Sequence, residues 1–478
     1  MPLDVLLIQT PNVKGTFFNL PGKEIPLSLC YLASFLKTRG LTARLLDLDW
    51  HGRISPMLEK TLAETKPELI GISAYTPNVA LAADIAARAK RLAPSTPVVL
   101  GGFHASALPE RTLREFAAFD YLAIGEGEVT LAELVEARRD GRALGEVRGL
   151  AYRDGETVRL NAPRPLLDDL DTLPFPDRRL IPYRRYVPDP GNYYRLPSSG
   201  ILYSRGCPYR CAYCSKSVFQ QRLRYRRIEP FLAEVRHCRD ELGIRDFRLE
   251  DEAPTTNLAR INELCAALLA QDLKITWLCY SRVDRIDEAT LRLMQRAGCH
   301  HVTYGIESGV PETLARINKP LDLERAAAIV RLTRRIGLEC KVNFIIGFPW
   351  ETVADMKRTI TYAKRISPDL VTFNLFKPLP GSTLYTELDA AGRLRHTRWE
   401  DYFVTSEPLL FAAPYTEAEA RQVLRDAVFS FYFRGGYIAQ RLRRLLRRPR
   451  HEAGIAWRGF RVLLREWWAG RGREKTVP

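Results

Sequence analysis

The run Ser-Arg-Gly-Cys207-Pro-Tyr-Arg-Cys211-Ala-Tyr-Cys214-Ser-Lys sets three cysteines in a C-x3-C-x2-C pattern. So compact a triplet reads as a loop whose thiolates converge on one inorganic group. Three thiolates can hold three irons of a four-iron cluster and leave the fourth iron without a protein ligand. An open iron can bind a small chelating molecule and pass it an electron, which a fully thiolate-ligated carrier cannot do. A structural zinc site is the competing use of such cysteines. Zinc favours four ligands, usually as two separated pairs, and no histidine lies within this loop; the nearest downstream is His237.

With Tyr213 just before the third cysteine, the motif resembles the signature of the radical S-adenosylmethionine (SAM) superfamily. The resemblance implies a [4Fe-4S] cluster on Cys207, Cys211 and Cys214. It also implies SAM chelated at the open iron and one-electron cleavage of SAM to a 5'-deoxyadenosyl radical that abstracts hydrogen from carbon.

The rest of the chain is consistent with a large α/β enzyme. Its 478 residues suggest two or three domains, and 46% apolar residues suffice for more than one core. The six remaining cysteines, Cys30, Cys238, Cys265, Cys279, Cys299 and Cys340, are scattered without a pairing pattern, as expected in a reducing cytoplasm. Residues 1–11 read as a first strand rather than a signal peptide, and no apolar run approaches the ~18 residues of a membrane span.

Over the first 140 residues, short β-rich apolar runs alternate with helical patterns, the form of a doubly wound parallel sheet. Strands are expected at 5–8, 43–46, 69–73, 97–100 and 121–124, and helices at 29–39, 79–92 and 109–116. In such sheets ligands bind beyond the carboxyl ends of the strands. Four loops stand there: Thr10-Pro-Asn12, Ser73-Ala-Tyr75-Thr76, Gly101-Gly102-Phe-His104 and Gly125-Glu126-Gly-Glu. None has the spacing of a dinucleotide fingerprint.

Set immediately before a radical SAM segment, these loops resemble the cobalamin-binding domain of the class B, B12-binding radical SAM family. The resemblance implies a Rossmann-like cobalamin domain over residues 1–143, with Thr10, Asn12, Ser73, Tyr75, Thr76, Gly101, Gly102, His104, Gly125 and Glu126 at the cofactor. The D-x-H-x-x-G motif is missing, because Asp49-Trp-His51 begins like it but Ile occupies position 54. That implies a base-off cobalamin without a lower axial histidine. His104 can equally be a turn residue that packs its ring.

Prolines crowd a connector over residues 144–195, which opens with a small hairpin around Asp154-Gly155. From 196 to 390, strands at 201–204, 246–249, 275–279, 301–306, 340–346 and 370–375 fit a partial β/α barrel with its site at the strand carboxyl ends. Carried over position by position, the resemblance implies that Glu250 or Asp251 meets the SAM amino group. Glu307 and Ser308 would address the SAM ribose or carboxylate, and Gly347 and Pro349 would shape the adenine pocket.

Residues 391–478 form a helical region with a basic tail. The net charge of +16 is concentrated here, with thirteen Lys or Arg against three Glu from Arg434 onward. Arginines interleave with leucines and tryptophans at helical spacing, which reads either as an anionic-membrane contact or as a solvated helix packed through its apolar face. Nucleic acid is not expected, since no nucleic-acid module accompanies the charge.

Together these features imply cobalamin-dependent methylation of an unactivated carbon in a small-molecule or lipid-like substrate, with an electron donor such as a flavodoxin or ferredoxin. Cyclisation or rearrangement without methyl transfer is the alternative. Methylthiolation of tRNA would need a second cluster, and the first 140 residues hold only Cys30. A cofactor sensor would make poor use of a labile open cluster.

Overall fold

A computed structural model describes residues 3–12, 22–50, 54–189, 191–395, 398–404 and 408–447. The chain opens with five strands, β1 (Val5–Gln9), β2 (Ala43–Asp47), β3 (Leu69–Ser73), β4 (Val98–Gly101) and β5 (Tyr121–Ala123). They form a parallel sheet in the order 2-1-3-4-5. Strands of this kind are buried on both faces, which is why they read as unbroken runs such as Val-Leu-Leu-Ile.

The hairpin β6 (Leu150–Asp154) and β7 (Thr157–Leu160) extends this sheet antiparallel, with Tyr121 paired to Tyr152. The sheet therefore runs past residue 143, and the proline-rich stretch follows it. Two helices that the sequence reading did not place, Ile54–Thr65 and Gly127–Asp140, cover this sheet, the second ending at Gly141 in the left-handed region.

After β8 (Ser198–Ile201), the short strands β9 (Ser204–Arg205) and β10 (Arg224–Tyr225) pair antiparallel and close the base of the cysteine loop. Then β11 (Asp246–Leu249), β12 (Thr276–Arg282), β13 (Cys299–Glu307), β14 (Glu339–Ile346) and β15 (Leu370–Leu375) alternate with helices. These five and β8 form one parallel six-stranded sheet in sequential order, the partial barrel expected from the sequence.

The two sheets share a core. One buried cluster runs from Leu6, Ile70, Leu100 and Phe119 of the first to Phe348, Phe376, Tyr385 and Trp399 beyond the second. A second cluster fills the barrel wall around Phe247, Trp277, Tyr304 and Phe344. Among the described residues no helix is long and apolar enough to cross a membrane. His51, residues 13–21 and the tail beyond Arg447 lie outside the described residues, as does His396.

Candidate active site

The cysteine loop is held from several sides. Gly206 opens it at φ +90, where a Cβ would run into the Arg222 carbonyl, so only glycine fits. Ala212 N–H donates to Ile317 O at 2.9 Å, Leu384 N–H donates to Ala212 O at 3.0 Å, and Asn318 donates to Arg210 O at 2.9 Å. Cys207, Cys211 and Cys214 are half-buried and unpaired. Burial pushes the Cys214 thiol up, against the pull of Lys216. Among the described residues no three His, Cys, Asp or Glu side chains form a group for a single metal ion. Three thiols on one short loop suit an iron–sulfur cluster, which takes one thiolate per iron.

Glu307 ends β13 at φ +73, a conformation unusual for a residue with a side chain. Tyr213 Oη donates to Glu307 Oε1 at 2.9 Å, and Lys319 Nζ reaches the same oxygen at 2.8 Å. This buried triad ties the residue before Cys214 to the β13 end. Lys319 was not foreseen from the sequence, since its partners lie 12 and 106 residues away.

Ser308 is buried and spends its hydroxyl on Thr359 and on the Val310 N–H. Gly347 adopts φ +78 beside Tyr415, whose hydroxyl donates to the Gly347 carbonyl. Glu351 accepts from the N–H groups of Gly347 and Phe348, at 2.7 and 3.1 Å. Pro349 offers its carbonyl to Arg393 at 3.5 Å.

The three consecutive acids after β11 separate. Asp251 is buried and accepts backbone N–H groups from Tyr203, at 3.1 Å, and Ser204, so it fixes the strand leading into the cysteine loop. Glu250 is gripped by Arg248, which also pairs with Glu24. Glu252 accepts from Gly206 N–H at 3.0 Å.

A cavity of about 650 Å³ joins both sheets. From the first sheet come Asn12, Ser73, Tyr75, Gly101, Gly102, Gly125 and Glu126, from the second Arg248, Glu250 and Glu252, and from β9 Arg205. This size is that of a small-molecule site. Tyr75 is exposed and stacks on Phe103, with ring centroids 5.6 Å apart. Gly102 stands at φ +101, where a Cβ would meet the Ala74 carbonyl at 2.7 Å, so glycine lets the two cavity-lining loops pack backbone to backbone.

Three of the ten residues expected at cobalamin do not line it, and neither do the three cysteines, Tyr213, Asp251, Glu307, Ser308, Gly347 or Pro349. Thr10 donates to Ser73 O at 2.9 Å, and Thr76 meets His104 Nδ1 at 3.2 Å. His104 is fully buried beside Trp399 with the rings edge-on, which favours the packing alternative its sequence left open. Glu126 does reach the cavity, but its carboxylate is taken by Arg205 at 3.0 Å and Arg224 at 2.9 Å.

Burial, followed by the nearby Arg111 charge, pushes His104 down to about 3. Because the unfolded chain binds this proton more readily, the stability tied to neutral His104 is present above about pH 6.5 and is lost as pH falls toward 3. Urea unfolding between pH 4 and 7 should show a flatter pH dependence in His104→Gln than in the parent; an unchanged slope would contradict the burial argument.

Two family descriptions match the chain, the B12 binding domain over residues 13–135 and the radical SAM superfamily over 201–363. An uncharacterised methyltransferase of Pyrococcus horikoshii is 32% identical over 98% of this chain and 99% of its own length. The chain belongs to the B12-binding radical SAM family. As a member it is a radical SAM enzyme, and its cofactors are a [4Fe-4S] cluster, SAM and cobalamin. The chain is also similar to the anaerobic magnesium-protoporphyrin IX monomethyl ester cyclase of Rubrivivax gelatinosus, at 30% identity over 79% of this chain and 69% of that protein. In fold it resembles the methyltransferase TsrM of Kitasatospora setae, with a TM-score of 0.68, 22% identity and coverage of 83% and 80% of the two chains. The cobalamin-dependent enzyme OxsB gives a TM-score of 0.72, with 17% identity and coverage of 90% and 67%.

Proposed function

We propose that this enzyme methylates an unactivated carbon of a small biosynthetic substrate. The observation that carries the reading is a cavity walled by strand ends of both sheets and by Arg205 at the base of the cysteine loop, because methyl transfer to a carbon radical needs both cofactors within reach of one substrate. When bound, the cluster supplies the electron that cleaves SAM, and cobalamin carries the methyl group.

The chain's own residues do the positioning. Cys207, Cys211 and Cys214 would hold the cluster. Asp251, by tying down the Tyr203 and Ser204 N–H groups, and the Tyr213–Glu307–Lys319 triad keep their loop rigid. Glu250 and Glu252 line the cavity, so they, rather than Asp251, are the candidates for the SAM amino group. Asn12, Ser73, Tyr75, Gly101, Gly102 and Gly125 would face cobalamin. Anaerobically purified protein mixed with hydroxocobalamin and desalted should retain an equimolar amount; no retention would overturn the reading.

The electron would come from a flavodoxin or ferredoxin. A lipid-surface contact is favoured by the helix Gly435–Arg447, on its outer face. Its Gln440 and Arg444 face inward onto Asp369, and Arg441 and Arg444 onto Glu339, while Ile438, Leu442 and Leu446 are exposed, the last at 85%. An apolar stripe within an arginine-rich segment suits an anionic membrane surface. The double substitution Leu442→Glu, Leu446→Glu should weaken sedimentation with phosphatidylglycerol vesicles about tenfold or more. Unchanged sedimentation would exclude this contact.

A further inference from the structure

Arg282 closes β12 at the rim of the barrel, beside the cysteine loop, and the sequence reading gave it no role. Its guanidinium is fixed on three sides. Asp284 takes a two-pronged grip, Nε to Oδ1 at 2.9 Å and Nη2 to Oδ2 at 3.0 Å. The guanidinium carbon lies over the ring of Tyr209, within the cysteine loop, 4.1 Å from the ring centroid. The remaining arm, Nη1, points at Cys211 Sγ, 3.8 Å away. The side chain is only 12% exposed.

A forked carboxylate and a stacked ring use the planar guanidinium in a way lysine cannot reproduce. An arginine needed only for charge balance would not require both. We infer that Arg282 raises the reduction potential of the cluster by holding a positive N–H donor against the Cys211 sulfur. Reduction adds one electron to the cluster, and the added negative charge concentrates on its sulfurs. A fixed cationic donor therefore favours the reduced form, and hydrogen bonds to sulfur are among the levers that set such potentials. Arg282 is a positioning residue: it acts on the cluster through Cys211 and Tyr209. The inference rests on the reading that Cys211 is a cluster ligand.

The test is a dye-mediated redox titration of the reconstituted enzyme without SAM, following the reduced cluster by electron paramagnetic resonance. In Arg282→Gln the reduced-to-oxidised ratio at a fixed poise should fall about tenfold, a shift of about 59 mV for one electron. Arg282→Lys keeps the charge and loses the fork and the stacking, so its shift should be in the same direction and smaller. Iron and sulfide content decides whether a variant has assembled its cluster; if Arg282→Gln has not, the lysine variant carries the test. Variant potentials equal to that of the parent would overturn the inference, and weaker SAM binding at unchanged potential would reassign Arg282 to SAM. A parent enzyme that assembles no cluster would instead remove the reading beneath it.

Discussion

Replacing Cys207, Cys211 and Cys214 together by alanine should leave a folded chain that takes up no iron–sulfur cluster and makes no 5'-deoxyadenosine above background. The three thiols are half-buried on a loop whose backbone is held independently of them, through Ala212, Gly206 and the β9–β10 pairing. Loss of the thiols therefore removes the iron ligands without removing the support around them. The other six cysteines are buried, so they offer no replacement set open to iron. Iron and sulfide analysis of the reconstituted variant checks this, together with its absorbance. A cluster that survives the triple substitution would place it on other residues.

The second large effect is expected at Glu126. Its carboxylate accepts from Arg205 and Arg224 and from the Leu167 N–H at 2.8 Å, while Arg205 also pairs with Glu128 at 2.7 Å. All four charged side chains are at most 6% exposed. Burial opposes ionisation of Glu126, yet the paired arginines hold it below the usual carboxylate range. Glu126→Ala strands a guanidinium charge away from water, which costs about 3–5 kcal/mol. Because Arg205 stands two residues before Cys207, the same change loosens the join between the first sheet and the cysteine loop. Urea unfolding should show the loss, and Arg39→Ala, which breaks an exposed pair with Glu136, should cost under about 1 kcal/mol. Equal effects from the two substitutions would mean that the buried network contributes no more than a surface pair.

Much of this was legible in the sequence because parallel strands buried on both faces leave continuous apolar runs. The strands at 69–73, 246–249 and 370–375 have the bounds read from sequence alone. The helix Gly127–Asp140 escaped notice because it starts inside a glycine-bearing loop, which reads as turn. The hairpin read as part of a connector because its place in the first sheet depends on β5–β6 pairing, which no local pattern encodes.

The same limit governed the site. Strand-end position singled out Ser73, Tyr75, Gly101, Gly102 and Gly125, which line the cavity, but it does not encode the direction of each side chain. Glu126 has its partners 79 and 98 residues away, and His104 packs on Trp399, so neither role is encoded nearby. Of the acids 250–252, only the fold separates Asp251, bound to backbone, from the two that face the cavity. Arg282 has its fork partner two residues away in Asp284, a signal present in the sequence, but its approach to Cys211 spans 71 residues.

The most direct measurement is anaerobic turnover of the reconstituted enzyme with methyl-deuterated SAM, hydroxocobalamin and a low-potential reductant, with 5'-deoxyadenosine and S-adenosylhomocysteine quantified together. A methyltransferase should form both, in equal amounts per product, and place the deuterated methyl group on carbon. Deoxyadenosine without S-adenosylhomocysteine, and a product carrying no label, would contradict methyl transfer and point to cyclisation or rearrangement.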